Sequence, residues 1–170
     1  MNNSIYKRRR SAAAITSEET KTKAMEENYE IALFVFIDGA EGLDCPSMYP
    51  NVSKRIYNVV FWVQPEQVYC TQLARGLVPI WKHEELFPLG KPGEFRGFLN
   101  LEVVRHFSKS DPGTSNGQVV VGRAQIPLPW NLYKKKSGRY GLVRLDGSVL
   151  KLEGHVSLSM QLKKIRRNSY

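Results

Sequence analysis

Basic and apolar side chains occur together in two segments that have the composition of loops. Segment 39–55 contains Gly, Asp and Pro and ends in a Lys-Arg pair, and segment 105–117 combines cations with Ser, Pro and Gly. The basic candidates are Lys54, Arg55, Arg105 and Lys109, and the aromatic candidates are Tyr49 and Phe107. This combination suits an anionic membrane, where each cation near the headgroups contributes on the order of 1 kcal/mol and an inserted ring adds apolar burial. The alternative is that the cations are simply solvated and both rings pack on the core.

Short segments with period-two alternation predict the elements that position these loops. In segment 31–37 the apolar residues are dense enough on both faces to predict a central strand, whereas segment 98–104 alternates Leu and Val with Asn and Glu. The predicted strands are 31–37, 56–63, 68–73, 81–87, 98–104, 118–126, 140–145 and 153–162. About eight short strands without a strong helical period indicate an all-β, antiparallel sandwich.

Composition divides the 170 residues into a folded unit and two tails. Residues 1–28 are polar and basic with few large apolar side chains, which predicts a disordered tail. Residues 29–163 are predicted to fold, and residues 164–170 are predicted to form a basic C-terminal tail. The chain has no apolar run near the roughly 20 residues of a membrane-spanning helix and no apolar segment typical of a secretory signal, so we expect an intracellular protein.

The net charge of +9 constrains the sign of the partner. Six basic and four acidic residues precede Tyr29, so most of the excess belongs to the folded unit. Anionic lipid headgroups, nucleic acid and acidic proteins all satisfy this charge. Nucleic acid is disfavoured, because the aromatic residues occupy strand positions and form no stacking row interleaved with Arg and Lys.

Residue patterns typical of enzymes are not found. His83, His106 and His155 are scattered, and neither Cys45 nor Cys70 has a base nearby in the sequence. The two cysteines also lack the spacing of a zinc site or of a disulfide framework, which predicts reduced thiols. We therefore expect a protein without catalytic residues and without a cofactor.

Four motifs occur in an order that resembles the C2 domain family, and more loosely the small plant proteins with a single C2 domain. The motifs are Gly42-Leu43, Pro79-x-Trp81 with Glu84 and Phe87, Leu101-x-Val103, and Val121-Gly122-x-x-x-Ile126-Pro127-Leu128. The resemblance covers residues 29–163. It implies an eight-stranded Greek-key β-sandwich whose functional loops gather at one end, and a function in docking on phospholipid membranes, in many members through bound calcium.

The chain departs from this family where calcium ligands are expected. Calcium requires six to eight oxygen ligands, many of them anionic. The corresponding loops retain Asp44 and Asp111 as residual candidates, whereas Arg55 and Arg105 stand where the family has aspartates. Cations beside two carboxylates repel a divalent ion, so we expect the calcium site to be lost.

These observations predict a non-enzymatic adaptor that binds anionic phospholipid without calcium. Lys54, Arg55, Arg105 and Lys109 are the predicted headgroup contacts, and Phe107 and Tyr49 are the predicted inserting side chains. We expect a monomer that is cytoplasmic and peripheral at membranes, with a nuclear location through the basic tails as an alternative. The competing function is a protein-interaction scaffold in plant stress or defence signalling that binds neither lipid nor calcium.

Overall fold

The computed structural model describes residues 28–91, 93, 96–109 and 116–167, and these residues form an all-β structure. The strands are β1 (Tyr29–Glu41), β2 (Ile56–Trp62), β3 (Val68–Cys70), β4 (Ala74–Arg75), β5 (Ile80–Gly90), β6 (Phe98–Arg105), β7 (Val119–Pro127), β8 (Lys136–Asp146) and β9 (Val149–Arg166). None of the described residues forms a helix long and apolar enough to cross a membrane. The predicted disorder of residues 1–27 lies outside the described part of the chain.

Neighbouring strands pair antiparallel in two layers. One layer has the order β5-β1-β9-β8, and the other has the order β7-β6-β2-β3, with β4 also pairing with β2. The layers meet between β7 and β8, where Arg123 pairs with Val143. This arrangement confirms the predicted antiparallel β-sandwich.

Aromatic side chains join the two layers in the core. The Phe61 and Phe87 ring centroids are 6.4 Å apart, and those of Tyr69 and Phe87 are 4.7 Å apart. In the Pro79-x-Trp81 motif, the buried indole of Trp81 donates its Nε1 hydrogen to the Tyr57 carbonyl oxygen at 3.2 Å. The motif therefore positions a bulky core residue whose polar atom is satisfied by the opposite layer.

Two strand boundaries differ from the sequence prediction. The predicted strand 68–73 stops at Cys70, because the Thr71 hydroxyl accepts the Val59 amide hydrogen at 3.0 Å and replaces a backbone acceptor there. The last strand runs to Arg166, where it pairs with Tyr29. Residues 164–166 therefore belong to the sheet, which corrects the predicted start of the C-terminal tail at residue 164.

One end of the sandwich collects four connections, which we call the loop end. Its members are residues 42–55 between β1 and β2, residues 76–79 between β4 and β5, the described parts of the β6–β7 connection, 106–109 and 116–118, and residues 143–152 of the β8–β9 hairpin. The register pairs Glu41 at the end of β1 with His155, so the hairpin extends beyond β1. Hydrogen bonds from Gly76 N to Arg55 O and from His106 N to Ile56 O connect the first three members.

Candidate functional site

A buried carboxylate lies at the centre of the loop end. Asp44 is fully buried and has a positive φ of 43°, which turns its side chain inward from the first loop. Its Oδ1 lies 2.6 Å from Arg105 Nη1 and 2.7 Å from Arg144 Nη1. Its Oδ2 accepts the Tyr57 hydroxyl hydrogen at 2.8 Å. Both carboxylate oxygens are therefore held by donors from three different strands.

A second acid and a ring complete this buried ionic network. Glu153 Oε1 accepts the Asp44 amide hydrogen at 2.8 Å and lies 3.1 Å from Arg144 Nη1. The Arg144 guanidinium carbon lies 3.9 Å from the centroid of the Tyr49 ring, a cation–π contact. The network thereby ties the first loop to both strands of the β8–β9 hairpin.

The ionisation of Asp44 follows from its partners. Burial alone raises the pKa of this carboxyl, but the hydrogen bonds from Arg105 and Arg144 outweigh burial and hold the pKa below its usual value of 3.8. For Arg144, burial lowers the pKa, yet the hydrogen bond and charge of Asp44 raise it above its usual value. All these groups are therefore charged near neutral pH, and the network is an ion cluster.

The residues of this centre do not fit a calcium ion. A divalent ion bound to Asp44 would face the Arg105 and Arg144 guanidiniums at contact distance from the same oxygen atom. Within the described residues no group of three or more His, Cys, Asp or Glu side chains converges as a metal site does. The other residual candidate, Asp111, lies outside the described residues.

Three of the predicted membrane contacts are structural. Arg105 is only 3% exposed and is paired with Asp44, so it is not available to headgroups, which corrects its predicted role. Arg55 is half-buried and donates to the carbonyl oxygens of Val52 and Asp44 at 3.0 and 3.1 Å, which braces the first loop. Tyr49 is half-buried against Arg144, so its ring supports the network and is not free to insert.

The other three predicted contacts are exposed and adjacent. Phe107 is 56% exposed, and Lys54 Nζ lies 6.0 Å from its ring centroid. Lys54 and Phe107 line two shallow cavities of about 470 and 520 Å³, the first also lined by Arg75 and the second by Lys109. The structure therefore places two lysines and one arginine around a single exposed aromatic ring.

His106 adds no positive charge to this surface near neutral pH. Its Nε2 lies 2.8 Å from the Asn58 side-chain oxygen, and burial lowers the pKa of its imidazole below 6.5.

Sequence reasoning missed further exposed apolar side chains at the loop end. Leu77 and Val78 are 52% and 58% exposed. The signal for these two was present, because they stand between Gly76 and Pro79, two residues that favour a turn.

The inward-pointing partners of Asp44 were missed as well. Arg144 and Glu153 had no comparable signal, because they are about 100 residues from Asp44 in the sequence. Only the pairing of the folded strands brings their side chains to the first loop.

Comparison with solved structures identifies the fold. One C2 domain of plant Extended Synaptotagmin 1, its domain A, aligns with a TM-score of 0.56 at 17% identity, over 80% of this chain and 96% of that one. The calcium-bound pair of C2 domains of Extended-Synaptotagmin 2 aligns with a TM-score of 0.54 at 16% identity, over 84% of this chain and 45% of that one. Human GIVD cytosolic phospholipase A2 aligns with a TM-score of 0.56 at 12% identity, over 79% of this chain, which spans only 17% of that protein.

The chain therefore has the fold of a C2 domain, which confirms the resemblance expected from its motifs. No protein-family profile matches the sequence, and no curated protein matches it significantly. At these identities the similarity establishes the fold, and the function must be argued from the loop end itself.

Proposed function

We propose that the loop end docks on anionic phospholipid surfaces without calcium, as a non-enzymatic, peripheral membrane adaptor that acts as a monomer. The observation that carries this proposal is the cluster of Lys54, Arg75 and Lys109 around the exposed Phe107 ring. Exposed cations beside exposed apolar side chains match a surface that is anionic outside and apolar beneath. The same end of the fold carries the exposed apolar segment 77–78.

The buried network supports independence from calcium. In a calcium-dependent site, the bound ion neutralises clustered carboxylates and brings positive charge to the membrane surface. Here Arg105 and Arg144 already neutralise Asp44 from within the protein. The exposed lysines are then able to meet the headgroups directly.

The magnitudes predict reversible binding. Each cation near an anionic surface contributes about 1 kcal/mol. Insertion of a ring that is about half exposed adds roughly 1 kcal/mol more, since full burial of a Phe side chain contributes about 1.5–3 kcal/mol. Three cations and one ring give roughly 4 kcal/mol by these values, which suits a protein that exchanges between membrane and solution.

The test is co-sedimentation with vesicles of neutral phosphatidylcholine and of phosphatidylcholine containing about one-third phosphatidylserine. We expect binding to the anionic vesicles and little binding to the neutral ones. Raising sodium chloride from about 0.1 to 0.5 M should release most of the protein, because the Debye length falls well below the ~10 Å found at 0.1 M. Equal binding to both vesicles would contradict the proposal, and absence of binding to either would favour the protein-interaction scaffold.

A further inference from the structure

The β8–β9 hairpin presents an unusual pair of faces. Its register pairs Val143 with Leu152 and Leu145 with Leu150, so these four apolar residues share one face. Leu145, Leu150 and Leu152 are 55%, 70% and 84% exposed. The usual arrangement, in which the apolar face is buried and the polar face meets water, is inverted here.

The polar face of the hairpin explains this inversion. Arg144 and Glu153 project from the opposite face into the buried ionic network, and both are at least nine-tenths buried. Between them, Arg144 pairs across the hairpin with Lys151 in the strand register. The inward polar face thus fixes the orientation of the hairpin, and the leucines are held outward by the same ion pairs that bind Asp44.

The charges around the hairpin indicate what covers its leucines. Lys151 pairs with Asp146 at 2.7 Å, so within the hairpin tip, which the structure describes in full, the acid is neutralised. Glu41 at the base of the hairpin is paired with Arg139, and the acids of the buried ionic network are held by their guanidinium partners. The exposed lysines Lys54 and Lys109, at positions in the other loops, lie at the same end of the sandwich. An apolar strip with neutralised acids and nearby exposed cations complements a membrane with anionic headgroups.

We propose that the leucine face of the β8–β9 hairpin inserts below the headgroups of an anionic membrane and is the main apolar anchor of the protein. This inference rests on the proposed function, and it assigns the anchoring role chiefly to Leu150 and Leu152, with Phe107 contributing less. The tip extends beyond β1, so it reaches the bilayer before the rest of the domain does. A partner protein or a second copy of the chain would be the alternative occupants.

Site-specific fluorescence tests this anchor. In a chain carrying Cys45→Ser and Cys70→Ser, a single cysteine at Leu150→Cys is labelled with an environment-sensitive fluorophore and mixed with vesicles containing phosphatidylserine. The matched control is Val68→Cys, at a residue 57% exposed at the opposite end of the sandwich. We expect a blue shift and quenching by brominated acyl chains for the label at 150, and neither effect for the label at 68.

The outcomes separate this inference from the proposed function. Sedimentation with anionic vesicles while the label at 150 stays in water would overturn the hairpin anchor and leave the proposed function intact. Absence of sedimentation would overturn both. A dimer in solution that Leu150→Ser dissociates would also overturn the anchor, because a second copy would then cover the leucines.

A second pair of variants measures the contribution of the anchor without a label. Leu150→Ser with Leu152→Ser should weaken binding to anionic vesicles at least about tenfold, since burial of a leucine side chain contributes roughly as much as a tenfold change in affinity or more. Trp130→Ala removes a side chain with the same 84% exposure as Leu152, but at the opposite end, and should leave binding unchanged. Equal loss in both variants would contradict the assignment of the anchor to the hairpin.

Discussion

Replacing Asp44 with asparagine is expected to lower the free energy of unfolding by about 3–5 kcal/mol, the range found when one partner of a buried ion pair is removed. The variant leaves Arg105 and Arg144 buried around a neutral amide that cannot balance their charges. Its amide nitrogen is also unable to accept the Tyr57 hydroxyl hydrogen. Urea unfolding followed by tryptophan fluorescence measures the difference directly.

The chain offers a matched control for this variant. Asp146 is also at the loop end and is also paired with a cation, Lys151, but this pair is exposed. Asp146→Asn is therefore expected to change the free energy of unfolding by less than about 1 kcal/mol. A similar small effect in Asp44→Asn would contradict a stabilising buried network.

The same pair of variants predicts a difference in acid stability. The pKa of Asp44 is lower in the folded chain than its usual value of 3.8, so the unfolded chain binds the proton more tightly. The stabilisation by this carboxylate is complete above about pH 4 and is lost as the pH falls through the lower folded pKa. The gap in stability between the unchanged protein and Asp44→Asn should therefore narrow below about pH 4.

Reversing two exposed charges, Lys54→Glu with Lys109→Glu, is expected to weaken binding to anionic vesicles by at least about 100-fold. Each reversal removes about 1 kcal/mol of attraction and adds repulsion of similar size, so the pair costs roughly 4 kcal/mol. Both side chains are exposed, so the fold should be retained. The measurement is a vesicle titration of both proteins at one salt concentration.

The control for this variant changes the same amount of charge elsewhere. Lys134→Glu with Lys135→Glu alters two exposed lysines that follow the far end of β7, opposite the loop end. We expect this control to retain most of the binding. If both double variants lose binding equally, the attraction belongs to the net charge of the protein and not to the loop end.

Alternation in the sequence was sufficient to predict the fold. The strands β1, β2 and β6 follow the predicted pattern because their inward residues are large and apolar, as in Tyr57, Val59 and Phe61, which are fully buried. The boundary at Cys70 was not predictable from alternation, because it depends on a hydrogen bond between the Thr71 hydroxyl and the distant Val59 amide.

The candidate site was predicted only in part, for a physical reason. A cation in a loop is normally solvated, as Lys54 and Lys109 are, whereas Arg105 was expected outside and is buried. Its burial depends on Asp44, which approaches only when the chain is folded. The leucines of the β8–β9 hairpin resemble ordinary strand residues in the sequence, since nothing local indicates that Arg144 and Glu153 take the inward positions.

The most direct test of this account is a comparison of vesicle binding in millimolar calcium and in excess chelator, with the unchanged protein and vesicles containing phosphatidylserine. Because the Arg105 and Arg144 guanidiniums already hold the Asp44 carboxylate, the account predicts the same binding curve in both conditions. Binding that appears only in calcium would contradict it, because an ion would then have to displace the guanidiniums from Asp44 or use ligands elsewhere.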